Sequence, residues 1–216
     1  MQLSRMYLNE RLRQTKRLLA NPQAMHAAVL AAFPPGRENR VLWRIDRDGH
    51  RTALIVVSDS VPSFEHLQEQ AGWRNEPSWE TRDYDRLLDR LQRGQEYAFR
   101  LVANPAGIRS YDDGRKRRVV HRSVPHQRRW LLERAERIGV EFLPAGPDSE
   151  PEILVSARST LRFPRNDRTV TLGQARFEGA LRIVGVDALR SALLEGIGRG
   201  KAYGNGLMTL ASVRRS

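Results

Sequence analysis

The sequence predicts an α+β protein made of two tandem ferredoxin-like (RRM-like) domains, each an antiparallel sheet with its helices on one face. The first half orders its predicted elements as strand, helix, strand, strand, helix and strand. The second half again places two helices among strands, so the repeat lies in element order and not in residue identity. The turn-forming run Asn104-Pro105-Ala106-Gly107 separates the halves. We therefore predict domains at 1–105 and 106–216.

The first half carries start and stop signals for most of its elements. Asn21 and Pro22 are typical of a helix N-cap followed by the first helical position, and Pro34-Pro35-Gly36 ends that helix. Asp48-Gly49 predicts a hairpin between two apolar runs, and Gly94 ends a second helix. The predicted strands are 3–8, 41–46, 52–58 and 96–103, and the predicted helices are 22–33 and 83–93.

The second half begins with a basic, turn-rich stretch from Ser110 to Arg122, which we interpret as a mobile, solvated segment. Two long strands lie further along and are joined at the hairpin tip Pro164-Arg165-Asn166-Asp167. The predicted strands are 140–143, 153–163, 169–184 and 207–213, and the predicted helices are 125–138 and 187–195.

The charge of the chain favours a polyanionic partner. The 216 residues include 37 Lys and Arg against 25 Asp and Glu, a net charge of +12, and nearly all of the excess is arginine. Guanidinium groups suit bidentate phosphate contacts, so nucleic acid is the first partner to consider and an anionic membrane surface the second.

Composition also excludes several classes of protein. The chain has no cysteine, which excludes disulfides, thiolate zinc sites and a cysteine nucleophile. No apolar run approaches the roughly 20 residues that span a bilayer, and no secretory signal is recognisable, so we expect a cytoplasmic protein without a membrane partner.

A glycine-rich stretch near the end of the chain is a candidate anion site. Its five glycines surround Arg199 and Lys201, and backbone N–H groups at Gly198 and Gly200 can approach a phosphate closely because glycine has no Cβ. A flexible turn before the last strand is the alternative. The P-loop pattern fails because no Ser or Thr follows Lys201, and the order of helix, loop and strand is the reverse of dinucleotide-binding folds.

His26 is the candidate catalytic residue among the five histidines. It lies at the edge of the apolar face of the first predicted helix, where an imidazole stands half in a cleft and can act as an acid or base near neutral pH. A purely structural role is the alternative. Gln23, one turn earlier, can orient a substrate group. The histidines lack metal-ligand spacing, so we predict no metal and no other cofactor.

Arginines cluster on the predicted hairpin, where a two-stranded ribbon fits a duplex groove and guanidinium groups contact base edges or phosphates. A solvated hairpin tip is the alternative. Four residues of the basic stretch are further candidates for RNA contact. The hairpin candidates are Arg158, Arg162, Arg165 and Arg168, and those of the basic stretch are Arg115, Lys116, Arg117 and Arg118.

Three motifs resemble the CasE family, the CRISPR RNA-processing endoribonucleases of type I-E Cascade. "LANPQAMHAAVLAAFP" is similar to the family's first helix with its histidine, and "YAFRLVANPAG" is similar to its strand and turn ending the first domain. The most specific match is the C-terminal half, above all "FEGALRIVGVDAL" and "GIGRGKAYGNGL". The resemblance covers nearly the whole chain.

The resemblance implies two ferredoxin-like domains that bind a CRISPR repeat RNA hairpin and cleave it without metal. In the family, the ribose 2′-OH attacks the phosphate and leaves a 2′,3′-cyclic phosphate and a 5′-OH, and the product is carried into Cascade with its other subunits. His26 matches the family's general acid or base, and the arginine hairpin matches its groove-inserting ribbon. The glycine-rich loop, with Arg199, would shape the RNA site.

One position departs from the family pattern. The family carries a Tyr three residues before its histidine, and this chain has Gln23, which cannot act as a general acid or base. Either Lys201 assists His26 by stabilising the phosphorane, or turnover is slow. A non-catalytic RNA-binding subunit of the same fold is therefore the competing hypothesis. A generic RRM-like protein is a third, weakened because neither half shows an aromatic-rich RNP strand.

Overall fold

The computed structural model describes residues 1–35, 41–74, 77–110, 114–146, 149–165 and 168–213. The chain divides into two compact units, Met1–Arg90 with Lys201–Leu207 and Leu91–Gly200 with Met208–Ser216. Within the described residues, no helix has both the length and the apolar character needed to cross a membrane.

The first unit is a four-stranded antiparallel sheet with the order β2-β3-β1-β4. This is the strand order of the ferredoxin-like arrangement, with the last strand beside the first. Its strands are β1 Gln2–Leu8, β2 Val41–Asp48, β3 Arg51–Ser58 and β4 Trp79–Asp83, and its helices are α1 Arg13–Ala20, α2 Pro22–Leu30, α3 Glu65–Ala71 and α4 Asp85–Leu88.

The helices of the first unit cover one face of the sheet, as the sequence predicts. Met6, Leu54 and Val56 project from the strands into a core closed by Leu67 of α3 and by the apolar face of α2. All of these side chains are fully buried, and burial of each stabilises the unit by about 2 kcal/mol. The predicted face of α2, which is Met25, Val29, Ala32 and Phe33, is buried in the same core.

The start of α2 is formed by the N-cap that the sequence predicts. The Asn21 side-chain oxygen accepts hydrogen bonds from the backbone N–H groups of Gln23 and Ala24, at 3.0 and 3.2 Å, and Pro22 occupies the first turn. The regular helix ends at Leu30, and a tighter turn carries the chain on to Phe33. This cap sets where the helix begins and therefore which residues of α2 reach the sheet.

Two predictions for the end of the first domain are wrong. The helix expected over 83–93 is only α4, because the N–H of Arg90 bonds the carbonyl of Leu87 and the chain tightens out of the α-helix. The fourth strand is β4, and the unit ends at Arg90 rather than at 105. β4 escaped prediction because its sequence, WETRD, is half charged and it forms an edge strand beside β1.

The second unit repeats the same strand order. Its sheet has the order β11-β5-β10-β8, and β9 pairs with β10 on the side that β8 occupies. The predicted strand 96–103 has the expected bounds but belongs here, between β10 and β11. The strands are β5 Glu96–Ala103, β6 Ala106–Ser110, β7 Lys116–Val120, β8 Val140–Phe142, β9 Ile153–Arg165, β10 Arg168–Ile183 and β11 Met208–Ser212, and the helices are α5 Val124–Leu132, α6 Ala135–Ile138 and α7 Val186–Glu195.

The basic stretch is more ordered than predicted. β6 and β7 pair from Ala106 opposite Val120 to Ser110 opposite Lys116, so the interpretation as a mobile segment is wrong for these strands. The β-branched pair Val119-Val120 ends β7, and Val120 packs so tightly on Gly173 of β10 that a Cβ there would lie 2.2 Å from it. Residues 111–113, at the tip, lie outside the described residues.

Candidate functional site

His26 stands half-buried on α2, within the first unit. The indole Nε1–H of Trp43, on β2, donates a hydrogen bond to His26 Nδ1 at 3.2 Å. Trp43 is itself 3% exposed, so this contact lies at the boundary between core and solvent. Burial lowers the pKa of His26 below its ordinary value of 6.5, which favours the neutral imidazole.

The chain returns to this place after the glycine-rich stretch. A short 3-10 turn, Lys201–Tyr203, packs against both α2 and β2 and belongs to the first unit. The next residue, Gly204, is buried against the Trp43 ring, where a Cβ would lie 2.7 Å from a ring carbon. The structure therefore places the predicted helper Lys201 beside the helix that carries His26.

A buried ion pair holds the far end of this returning segment. Arg44 and Asp46 form a bidentate pair on β2, with N–O distances of 2.7 and 2.9 Å, and both residues are less than 10% exposed. The remaining guanidinium nitrogen, Nη1, donates to the carbonyl oxygen of Leu207 at 3.0 Å. Removal of one partner of a buried pair typically costs several kcal/mol, so this anchor is strong.

Trp43 and Arg44 are functional residues that the sequence analysis missed. Both lie inside a strand that was predicted correctly, so their burial was foreseeable, but nothing local pairs them with residues 26 and 207. The available signal was strand alternation, which sends Trp43 to the helix-covered face of the sheet and Arg44 to the other.

The first part of the glycine-rich stretch, residues 196–200, belongs to the second unit. Gly196, Gly198 and Gly200 have φ between 77° and 80°, a left-handed region that suits glycine. A Cβ on Gly198 would lie 3.0 Å from Trp130, and Arg199 forms an isolated bridge with Asn104. These contacts explain the glycines structurally, and the phosphate contact of the exposed Arg199 stays a prediction.

The predicted arginine hairpin is a ribbon formed by β9 and β10. A bulge with Ala157 at φ 45° lies where β10 leaves β5, and beyond it residues 159–165 pair with 168–174. Arg158 and Arg162 are exposed, and Arg158 donates to the Arg122 carbonyl oxygen at 3.1 Å. The side chains of Arg165 and Arg168 lie outside the described residues, although their backbones pair at the ribbon end.

The remaining candidates are distributed over both units. Gln23 is exposed on α2, one turn before His26. Arg115 and Lys116 are exposed at the start of β7, whereas the side chains of Arg117 and Arg118 lie outside the described residues. In the described part of the chain, no group of three or more His, Asp or Glu side chains is arranged to hold a metal ion.

Known proteins match this chain over almost its full length. A family model described as CRISPR associated protein matches residues 1–212. The chain belongs to that family. This membership confirms the family expected from the sequence motifs.

The proteins similar to this chain include one that cleaves RNA. CRISPR-associated endoribonuclease Cse3 of Thermus thermophilus is 29% identical over 227 aligned residues, which cover 98% of this chain and all of Cse3. A structure of CRISPR endoribonuclease Cse3 bound to 19 nt RNA matches with a TM-score of 0.78 and 26% identity, covering 98% of this chain and 100% of that one. Thermus thermophilus Cse3 bound to an RNA that represents a pre-cleavage complex matches with a TM-score of 0.78 and 29% identity, over 97% and 98% of the two chains.

The lowered pKa of His26 predicts a pH-dependent contribution to stability. Because the unfolded chain binds this proton more readily than the folded chain, the free energy of unfolding should fall as pH decreases below about 6.5. In His26→Gln this contribution is absent, while the amide oxygen can still accept from Trp43. Urea unfolding of both proteins between about pH 5 and 8 measures the difference. The wild type should lose stability relative to the variant as pH falls, and a relative gain would contradict the assignment.

Proposed function

We propose that this protein is a metal-independent endoribonuclease that binds the stem-loop of CRISPR repeat RNA and cuts at the 3′ base of the hairpin. The observation that carries the proposal is His26, held half-buried on α2 by Trp43 in a chain similar over its full length to an endoribonuclease. An imidazole that is neutral near pH 7 is the side chain best suited to handling a proton at a phosphodiester.

The reaction uses the RNA as its own nucleophile. The ribose 2′-oxygen forms a bond to the adjacent phosphorus, the bond from phosphorus to the 5′-oxygen breaks, and the products are a 2′,3′-cyclic phosphate and a 5′-OH. The 2′-OH loses a proton and the leaving oxygen gains one, so no metal is required for the balance. His26 acts at the reacting phosphate, and Lys201, whose turn packs on α2, adds positive charge that stabilises the phosphorane.

The arginines of the ribbon bind the RNA stem. Arg158 and Arg162 are exposed on a two-stranded element that projects beyond β5, and guanidinium groups form paired hydrogen bonds to phosphate oxygens. Arg115, Lys116 and Arg199 also lie on the second unit and add to the same electrostatic attraction. The protein then keeps its product and joins the other Cascade subunits in the cytoplasm, as the family resemblance implies.

A non-catalytic RNA-binding subunit is the second candidate, and one residue favours it. Gln23 stands exposed where the family carries a Tyr, and an amide neither gives nor takes a proton near neutral pH. This alternative keeps the ribbon and its arginines but gives His26 only a structural role. The two candidates therefore differ in cleavage and not in RNA affinity.

A cleavage assay with EDTA separates them. The wild type should cut its repeat RNA at the 3′ base of the hairpin, and His26→Ala should slow cleavage by about 100-fold or more, because acid–base groups contribute that much to proton transfer. RNA affinity should be unchanged in the variant. The rate is measured with end-labelled RNA and excess protein.

His50→Ala is the matched control, since His50 is exposed in the turn between β2 and β3. Its rate should equal that of the wild type. Absence of cutting by the wild type would favour the non-catalytic subunit, and unchanged cutting by His26→Ala would refute the role of His26.

The salt dependence of RNA affinity tests the ribbon. Arg158→Ala/Arg162→Ala should weaken binding about tenfold or more and reduce the slope of log K against log salt by about 1 for each phosphate that the variant no longer binds. Arg82→Ala/Arg86→Ala removes the same charge from exposed arginines near β4 and should leave both quantities unchanged. Equal effects of the two double variants would mean that net charge, and not the ribbon, attracts the RNA.

A further inference from the structure

The hydrogen bond between Trp43 and His26 allows only one direction of donation. An indole Nε1–H is a donor and has no acceptor capacity. His26 Nδ1 lies 3.2 Å from it and must therefore be the acceptor, with its lone pair directed at the indole. A neutral imidazole that is unprotonated on Nδ1 carries its proton on Nε2.

We propose that Trp43 is a positioning residue that locks His26 in the Nε2–H tautomer, so that His26 acts at the phosphate as a hydrogen-bond donor and not as the base that takes the 2′-OH proton. This inference rests on the proposed ribonuclease function. An imidazolium would turn a second N–H toward the indole N–H, so the same contact opposes protonation. The burial that lowers the pKa of His26 acts in the same direction.

The returning segment holds the indole in place. Gly204 has φ 76° and lies against the ring of Trp43 on the same unit, so no larger residue fits without moving the indole. Arg44 fixes Leu207, three residues further on, through its carbonyl oxygen. The lock on His26 is therefore built by residues from the C-terminal end of the chain.

The donor role changes how the reaction balances. As the 2′-oxygen bonds to phosphorus, its proton passes to water, and as the bond to the 5′-oxygen breaks, that oxygen takes a proton from water. His26 keeps its Nε2 proton throughout and donates a hydrogen bond to a non-bridging phosphoryl oxygen, where negative charge develops. A side chain of Gln23's chemistry is no obstacle to this scheme, because no second acid–base residue is needed.

The tautomer is measured directly by long-range ¹H–¹⁵N NMR of ring-labelled histidine in the free protein above pH 6.5. His26, assigned by the signals that are missing in His26→Gln, should show an unprotonated Nδ1 and a protonated Nε2. In Trp43→Phe, which keeps an aromatic ring but removes the donor, its shifts should move toward a mixture of tautomers. Cleavage should slow roughly fivefold, as expected for the removal of one hydrogen bond, with RNA affinity unchanged.

Gly204→Ala provides a second route to the same effect, by displacing the indole. Gly49→Ala is its matched control, because Gly49 also has a left-handed φ, 59°, but no atom lies within 4 Å of an added Cβ. The His26 shifts should change in Gly204→Ala and not in Gly49→Ala.

Two results would overturn the lock: a protonated Nδ1 in the wild type, or unchanged His26 shifts in Trp43→Phe. The NMR experiment needs no RNA, so its failure is separable from that of the proposed function. If the tautomer is found as expected but repeat RNA is not cut, the assignment of the tautomer stands and the proposed reaction falls.

Discussion

The contact of Gly204 with the indole of Trp43 is the constraint on which the site depends. It places a backbone segment from the C-terminal end of the chain behind the aromatic ring that holds His26. A side chain at position 204 would occupy the space of the ring, and only glycine combines that close approach with a left-handed φ at no steric cost. The glycine-rich stretch thus acts first on protein and only then, through His26 and Lys201, on RNA.

The buried pair of Arg44 and Asp46 gives this contact its rigidity. Desolvation makes such a pair costly unless every donor is satisfied, and here the remaining guanidinium donor reaches the carbonyl of Leu207. Other arginines are also engaged with carboxylates, for example Arg100 with Glu178 and Arg182 with Glu96. The net charge of the chain therefore overstates the positive surface that RNA meets, and the exposed ribbon positions Arg158 and Arg162 are the more specific signal.

Local chemistry predicted those parts of the fold whose signals are local. The cap at Asn21 and the Asp48-Gly49 hairpin were found because a few adjacent residues determine them. The strand 96–103 was predicted with its bounds but assigned to the wrong sheet, because an alternating pattern does not name its partner. The site followed the same rule: His26 was found from its place on a helix, whereas its bond to Trp43 joins two elements whose spacing no short pattern records.

In the proposed reaction at His26, the RNA supplies its own nucleophile. The most direct measurement uses a repeat RNA with a single 2′-deoxyribose on the 5′ side of the scissile phosphate. We expect this RNA to bind with the affinity of the all-ribose RNA and to remain uncut at that bond, because no cyclic phosphate can form without the 2′-oxygen. Cutting there at the all-ribose rate would contradict the proposed reaction.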